Sequence, residues 1–304
     1  MSRILTSVAQ VKLVHILLPV LLFALTTMLL QRNFASRSAR MVETAALRKR
    51  AVSSSPRNFK LKSKVKTGRA SYILTFADPE SLLSGLPVPS GVKLNLFGRG
   101  KSYSPVSLPG SLGANESDEF DLLVKPYPDA PGGGFGKFLC DLEPGEEASM
   151  TVKKPRVIHG ETDVIGRRDY VNLVGGGTGI APLVQIARAE ILAGRAKRIR
   201  MICASRGADD ALMRKELDEM QEASDSFDVT YLDTSKFGRG DVELARSSLV
   251  IDPANSLTYV CGTDGFVDFW AGSVERDENG KKVQGNLKGI LFQAGLRKDG
   301  VYKF

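Results

Sequence analysis

The sequence predicts an antiparallel β-barrel followed by a parallel-sheet α/β domain, with an apolar membrane-spanning helix ahead of both. Three observations predict it. Residues 13–30, LVHILLPVLLFALTTMLL, contain no charged residue. From Tyr72 to about Lys154 the apolar runs are short and β-rich, with Gly, Pro and Asn/Asp clusters between them. After Gly166 strands begin to alternate with helices. The expected boundaries are a targeting segment and anchor at 1–35 and a basic linker at 36–67. The barrel follows at 68–160 and the α/β domain at 161–304.

The leader comes first. Eighteen helical residues span about 27 Å, close to the ~30 Å hydrocarbon core of a bilayer. A cleaved secretory signal has a shorter apolar core and a small-residue cleavage site, whereas here Gln31-Arg32-Asn33-Phe34 follows. The first 42 residues carry Arg, Ser and Thr but no acid, which also fits mitochondrial targeting. Length favours a retained anchor, and a targeting signal and an anchor can be one segment. Its basic flank, with Arg32, Arg37, Arg40, Arg48, Lys49 and Arg50 after the span, keeps the body on the cytosolic side by the positive-inside rule. The expected location is therefore a membrane, mitochondrial in the first place and endoplasmic reticulum otherwise.

The charge has the same geography. The chain's formal charge is +8. Residues 1–70 hold 14 Lys+Arg against the single acid Glu43, and the remaining 234 residues hold 28 against 33. The body is mildly acidic, which argues against a nucleic-acid groove. Its linker, rich in Ser, Arg and Lys, reads as a flexible tether that is either solvated or laid on anionic lipid.

In the barrel half the strand candidates are SYILTF, VKLNLF, SYSPVSL, EFDLLVK and ASMTV. One helical pattern interrupts them, FGKFLCDL at 135–142, directly after Pro131-Gly132-Gly133-Gly134. Glycines before a helix make a possible phosphate site at its N-terminus. Lys101-Ser102-Tyr103-Ser104 joins a cation, an aromatic plane and hydroxyls, and strand alternation puts Lys101 and Tyr103 on one face and Ser104 on the other.

In the α/β half, YVNLV (170–174) reads as a buried strand, followed by VGGGTGIAPL and a helix. Further strands are expected at 198–204, 227–232 and 257–261, with helices between and after them. The glycine stretch fits neither common phosphate template. A P-loop needs Gly-Lys-Ser/Thr where Gly179-Ile180-Ala181 stands, and G-x-G-x-x-G begun at Gly175 needs a glycine at Ile180. Its setting, a buried strand before and a helix opening at Thr178–Ile180 after, still makes the glycine loop an anion site. The ribose-binding acid of the dinucleotide fold is missing. The second strand ends in Ser205-Arg206 instead, a pair suited to a 2′-phosphate and so to NADP, with Asp209 and Asp210 close enough to oppose it. Arg206 can also stack on adenine or be an ordinary exposed side chain.

Cys140, Cys203 and Cys261 are far apart and form no C-x-x-C pair, against a disulfide framework, a zinc site or an iron–sulfur cluster. With only His15 and His159, no metal or haem site can be built on histidines. Redox chemistry in this chain therefore needs an organic cofactor.

These pieces, in this order, resemble the ferredoxin–NADP reductase superfamily, most closely its NADH–cytochrome b5 reductase branch, over about residues 69–304. The motifs are KSYSPVS, LLVKPY, the glycine turn with FLCDLEPG, GGGTGIAP, ASRGADD, CGTDGF and the terminal VYKF. The resemblance implies an FAD-binding barrel, an NAD(P)-binding α/β domain, and FAD and NAD(P)H as cofactors. It implies that Tyr103 lies against the flavin and Ser104 near its hydride-accepting nitrogen. Lys101, Lys125 and Tyr127, together with Gly134, Phe135 and Gly136, would hold the rest of FAD. Gly176, Gly177, Thr178, Ser205, Arg206, Cys261 and Gly262 would hold the nicotinamide dinucleotide, and Phe304 would approach the flavin. Ser104 and Cys261 are the catalytic candidates, and no metal is expected.

Three positions depart from the family. Lys101 stands for an arginine, Gly136 for a hydroxyl residue, and Thr263-Asp264 for two prolines. The implied activity passes hydride from NAD(P)H to FAD and then single electrons to an external, membrane-held acceptor such as cytochrome b5. Alternatives are a quinone or soluble-acceptor reductase, or a degenerate flavoprotein acting as scaffold or nucleotide sensor.

Overall fold

The computed structural model describes residues 55–83, 86–96, 98–108, 118–127, 134–153, 168–280 and 282–304. The expected span at 13–30, the boundary at 160/161 and Gly132-Gly133 lie outside them. Among the described residues no helix is long and apolar enough to cross a membrane.

Six antiparallel strands form the first sheet: β1 (Arg57–Thr67), β2 (Ser71–Ala77), β3 (Gly91–Leu96), β4 (Arg99–Tyr103), β5 (Glu119–Val124) and β6 (Glu147–Lys153). Their order is β4-β3-β6-β1-β2-β5. A bridge between Pro105 and Leu122 joins the stretch after β4 to β5, so the two outer strands meet and the sheet closes on itself.

β1 corrects the linker expected up to residue 67, because Arg57–Thr67 is a central strand. The lysines of FKLKSKVK alternate with Phe59 and Leu61, which are buried in the barrel core. That is period-two patterning beneath a basic composition. An irregularity between Leu61 and Ser63 lets the first half pair with β6 and the second with β2. Helix α1 (Phe135–Asp141) adds Phe135 and Leu139 to the same core.

The second sheet is wholly parallel: β7 (Tyr170–Gly176), β8 (Arg198–Ser205), β9 (Phe227–Asp233), β10 (Ser256–Cys261) and the terminal β13 (Val301–Lys303). The connections carry α2 (Ile180–Ala193), α3 (Arg214–Glu222), α4 (Thr234–Phe237), α5 (Val242–Ser248), α6 (Asp264–Ala271) and α7 (Gly289–Ala294). Between α6 and α7 the chain makes a small hairpin, β11 (Glu275–Arg276) and β12 (Lys282–Val283).

The spatial order β13-β10-β7-β8-β9 reverses direction between β7 and β10. A reversal of this kind leaves a crevice at the carboxyl ends of the two strands, where open α/β sheets take their ligands. One apolar cluster crosses from Val88, Val106 and Leu123 of the barrel to Leu183, Val184 and Ala187 of α2. Burial of that kind stabilises by about 25 cal/mol per Å² of apolar surface, and here it also fixes the barrel against the sheet.

Candidate functional site

The crevice opens into a cleft of about 910 Å³ between the barrel and the parallel sheet. β7 and β10 run side by side with Gly175 opposite Cys261, so the glycine turn and the Cys261–Gly262 turn lie against each other at its floor.

The glycines of VGGGTGIAPL do different jobs. A Cβ on Gly175 would lie 2.8 Å from the Ile180 side chain, on Gly176 2.9 Å from the Phe266 ring, and on Gly179 2.6 Å from the Cys261 carbonyl. Those three are small because protein packs on them. Gly177 alone faces open space, at φ 55°, and leads through one 3₁₀ turn into α2. The N-terminus of that helix borders the cleft through Ala181 and Pro182, and its positive dipole end favours an anion there.

From the barrel come Lys101, Tyr103 and Ser104 of the β4 end and Lys125 and Tyr127 past β5. β4 stops at Tyr103, so the expected opposition of Tyr103 and Ser104 is lifted and both line the cleft. The Tyr103 hydroxyl is buried and has no hydrogen-bond partner among the described residues. Burial pushes it well above the ordinary tyrosine range, so it is a neutral donor awaiting an acceptor. The Lys101 ammonium sits 5.7 Å from the centroid of the Tyr127 ring.

Arg206, at the mouth beyond β8, is exposed and unpaired among the described residues. Ser205 donates its hydroxyl to the Gly207 carbonyl at 2.9 Å, which braces the turn that presents Arg206. The Phe304 amide donates to the Val260 carbonyl at 3.0 Å, holding the last aromatic ring beside the end of β10.

Comparison with known proteins decides the family. Residues 173–271 match the oxidoreductase NAD-binding domain. NADH-cytochrome b5 reductase 2-A of Vanderwaltozyma polyspora is 31% identical over 213 residues, 67% of this chain and 67% of that one. The chain belongs to the NADH–cytochrome b5 reductase family. A reductase-like protein of Arabidopsis thaliana is 26% identical over 264 residues, 81% of this chain and 76% of its own. The cytochrome b5 reductase domain of Ulva prolifera nitrate reductase shares the fold, with a TM-score of 0.60 at 23% identity over 82% of this chain and 97% of that one. As a member of this family the chain is an NAD(P)H-dependent reductase, with FAD and NAD(P)H as its cofactors.

The residues present fit those groups. The orphaned Tyr103 hydroxyl, the open Gly177 and the cations Lys101 and Lys125 face one cleft. Gly134, Phe135 and Gly136 are not among its lining residues. They open α1 beside Lys125, where a Cβ on Gly136 would lie 2.4 Å from the Lys125 carbonyl, and the Phe135 side chain is spent on the barrel core.

At the family's two-proline site, Thr263 caps α6 by accepting from the Phe266 amide at 3.3 Å. Asp264 then lies in the first helical turn, where a carboxylate complements the dipole. The sequence reading missed Pro89, Ser90, Lys153 and Lys282, which also line the cleft. No local signal marks them. They arrive there through strand pairing and the β11–β12 hairpin.

Proposed function

We propose that this chain is a membrane-anchored reductase that takes reducing equivalents from NAD(P)H and delivers single electrons to a cytochrome b5-like haem protein. The observation that carries it is the cleft at the reversal between β7 and β10, where Tyr103 and Ser104 share one space with the glycine turn and Cys261. Tyr103 and Ser104 would receive the flavin ring, with Lys101, Lys125 and Tyr127 along the remainder of FAD. Gly177, Thr178 and the N-terminus of α2 would hold the dinucleotide pyrophosphate. Cys261 would border the nicotinamide, and Phe304 would close the flavin side. Bound FAD supplies the conversion of a two-electron donor into a one-electron source. The protein's own work is to bind, orient and keep water out, so no histidine is required.

Arg206, paired with Ser205, would bind a 2′-phosphate and bias the enzyme toward NADPH. The acceptor follows the names of the relatives. The anchor follows the uncharged span at 13–30, with a mitochondrial membrane first and the endoplasmic reticulum second.

The test is the detergent-purified full chain, assayed for bound flavin and for NADH- and NADPH-driven reduction of ferricyanide, cytochrome b5 and a quinone. A colourless chain without ferricyanide activity refutes the reading. Quinone reduction without cytochrome b5 reduction replaces the acceptor. An unchanged NADPH-to-NADH ratio in Arg206→Ala removes the 2′-phosphate role.

A further inference from the structure

Helix α2 is held to the barrel by two polar side chains one turn apart. Gln185 is completely buried, and among the described residues its amide's hydrogen bonds all cross to the barrel. Its carbonyl accepts the Ser90 backbone N–H at 2.7 Å, and its NH₂ donates to the Ser90 hydroxyl at 3.0 Å and the Ser107 carbonyl at 2.9 Å. Three residues on, and so on the same helical face, Arg188 donates to the Val106 carbonyl at 2.7 Å.

The two barrel loops gripped in this way belong to the cleft. Pro89 and Ser90 line it, and the other loop begins at Ser104. The N-terminal end of the same helix follows the glycine turn that would receive the dinucleotide phosphates. One rigid element therefore spans both binding sites, with Gln185 about 7.5 Å along the axis from its first residue.

We propose that Gln185 and Arg188 are positioning residues that set the approach of the nicotinamide to the flavin, by fixing α2 against residues 88–91 and 104–107. This rests on the flavin reading of the cleft. Hydride transfer tolerates little misplacement, and about 1 Å can lower a rate by about 100-fold. A helix held only by Val88, Val106 and Leu123 would keep its depth, because apolar packing is non-directional, yet could slide along its axis. The four hydrogen bonds supply the direction.

The experiment uses the full flavin-loaded chain and the variants Gln185→Leu, Ser90→Ala and Arg188→Lys. The readouts are flavin content, the long-wavelength nicotinamide–flavin charge-transfer absorbance after anaerobic mixing with NADH, and the flavin-reduction rate at saturating NADH. Gln185→Leu should keep full flavin content and an NADH affinity within about threefold, while the absorbance weakens and the rate falls by about 10- to 100-fold. Ser90→Ala should fall between it and wild type, and Arg188→Lys, which retains a donor, should restore most of both signals. Should Gln185→Leu fail to fold, Ser90→Ala and an added Arg188→Met carry the same comparison.

A lowered melting temperature with unchanged absorbance and reduction rate would mean that the contacts are merely structural and overturns the proposal. Wild-type chain that binds no flavin overturns this proposal together with the reading beneath it. Flavin-loaded wild type with indifferent variants overturns this proposal alone.

Discussion

Lys125, just past β5, reaches across the cleft to Asp210, with 3.6 Å between its ammonium and the carboxylate. One residue belongs to the barrel and the other to the turn after β8, so the pair joins the two walls. It also holds the Asp210 carboxylate in the wall that carries Arg206, where its charge opposes the phosphate that Arg206 would bind.

Asp210→Asn should therefore help NADPH more than NADH. Both side chains are about a quarter exposed, which limits the pair to roughly 1 kcal/mol, or about fivefold. Steady-state titration should show the KM for NADPH falling by about two- to fivefold relative to NADH, with little change in melting temperature. A rise in the KM for NADPH refutes the assignment.

The glycine turn should respond unevenly to added methyl groups. Gly179→Ala drives a Cβ into backbone atoms of Cys261 and Gly262, so it should lose about 1–3 kcal/mol of stability and bind NAD(P)H at least about 10-fold more weakly. Gly177→Ala meets no protein atom within 4 Å, so its stability loss is only the strain of its positive φ, about 1 kcal/mol. Its main effect falls on NADH binding, where the methyl would enter the phosphate space. Thermal melts and NADH titrations of the two variants check the order.

Burial pushes the Cys261 thiol up to about 12, so it remains protonated through the neutral range. On the proposed reading it would border the nicotinamide as a small neutral group, and Cys261→Ser should then reduce kcat/KM by a factor that does not change with pH there. The sign for stability follows from linkage. A folded pKa above the ordinary 9.0 favours the folded chain below pH 9.0, and that contribution is lost as pH rises toward 12. Urea midpoints should fall less steeply in the serine variant over that window.

Lys303 is almost fully buried, and its ammonium donates to the Ser273 carbonyl at 2.9 Å and the Asn286 carbonyl at 3.1 Å. It ties the terminal strand before Phe304 to the segment that carries Lys282 into the cleft. Lys303→Met leaves both carbonyls without that donor. Differential scanning calorimetry should show a loss of about 1–3 kcal/mol, and a wild-type melting temperature would refute the clamp.

Much of this was legible from local order along the chain. Apolar runs with period two or 3.6 marked the strands and helices, and the glycine turn announced an anion site because a buried strand precedes it and a helix follows. Seven ordered motifs located the barrel residues Tyr103 and Ser104 and the sheet residues Cys261 and Gly262. β1 was the exception, since its lysines mimic a tether although Phe59 and Leu61 keep a strand's alternation.

By itself, then, the sequence determined the two kinds of domain, the family and the residue types at the site, because periodicity and turn chemistry act over a few residues. The tertiary structure alone decided that Gly175 lies opposite Cys261, that Lys125 meets Asp210, and that Gln185 reaches Ser90 and Ser107. Those contacts join segments more than 75 residues apart. They depend on strand order and on the packing of one domain against the other, and no spacing along the chain encodes either.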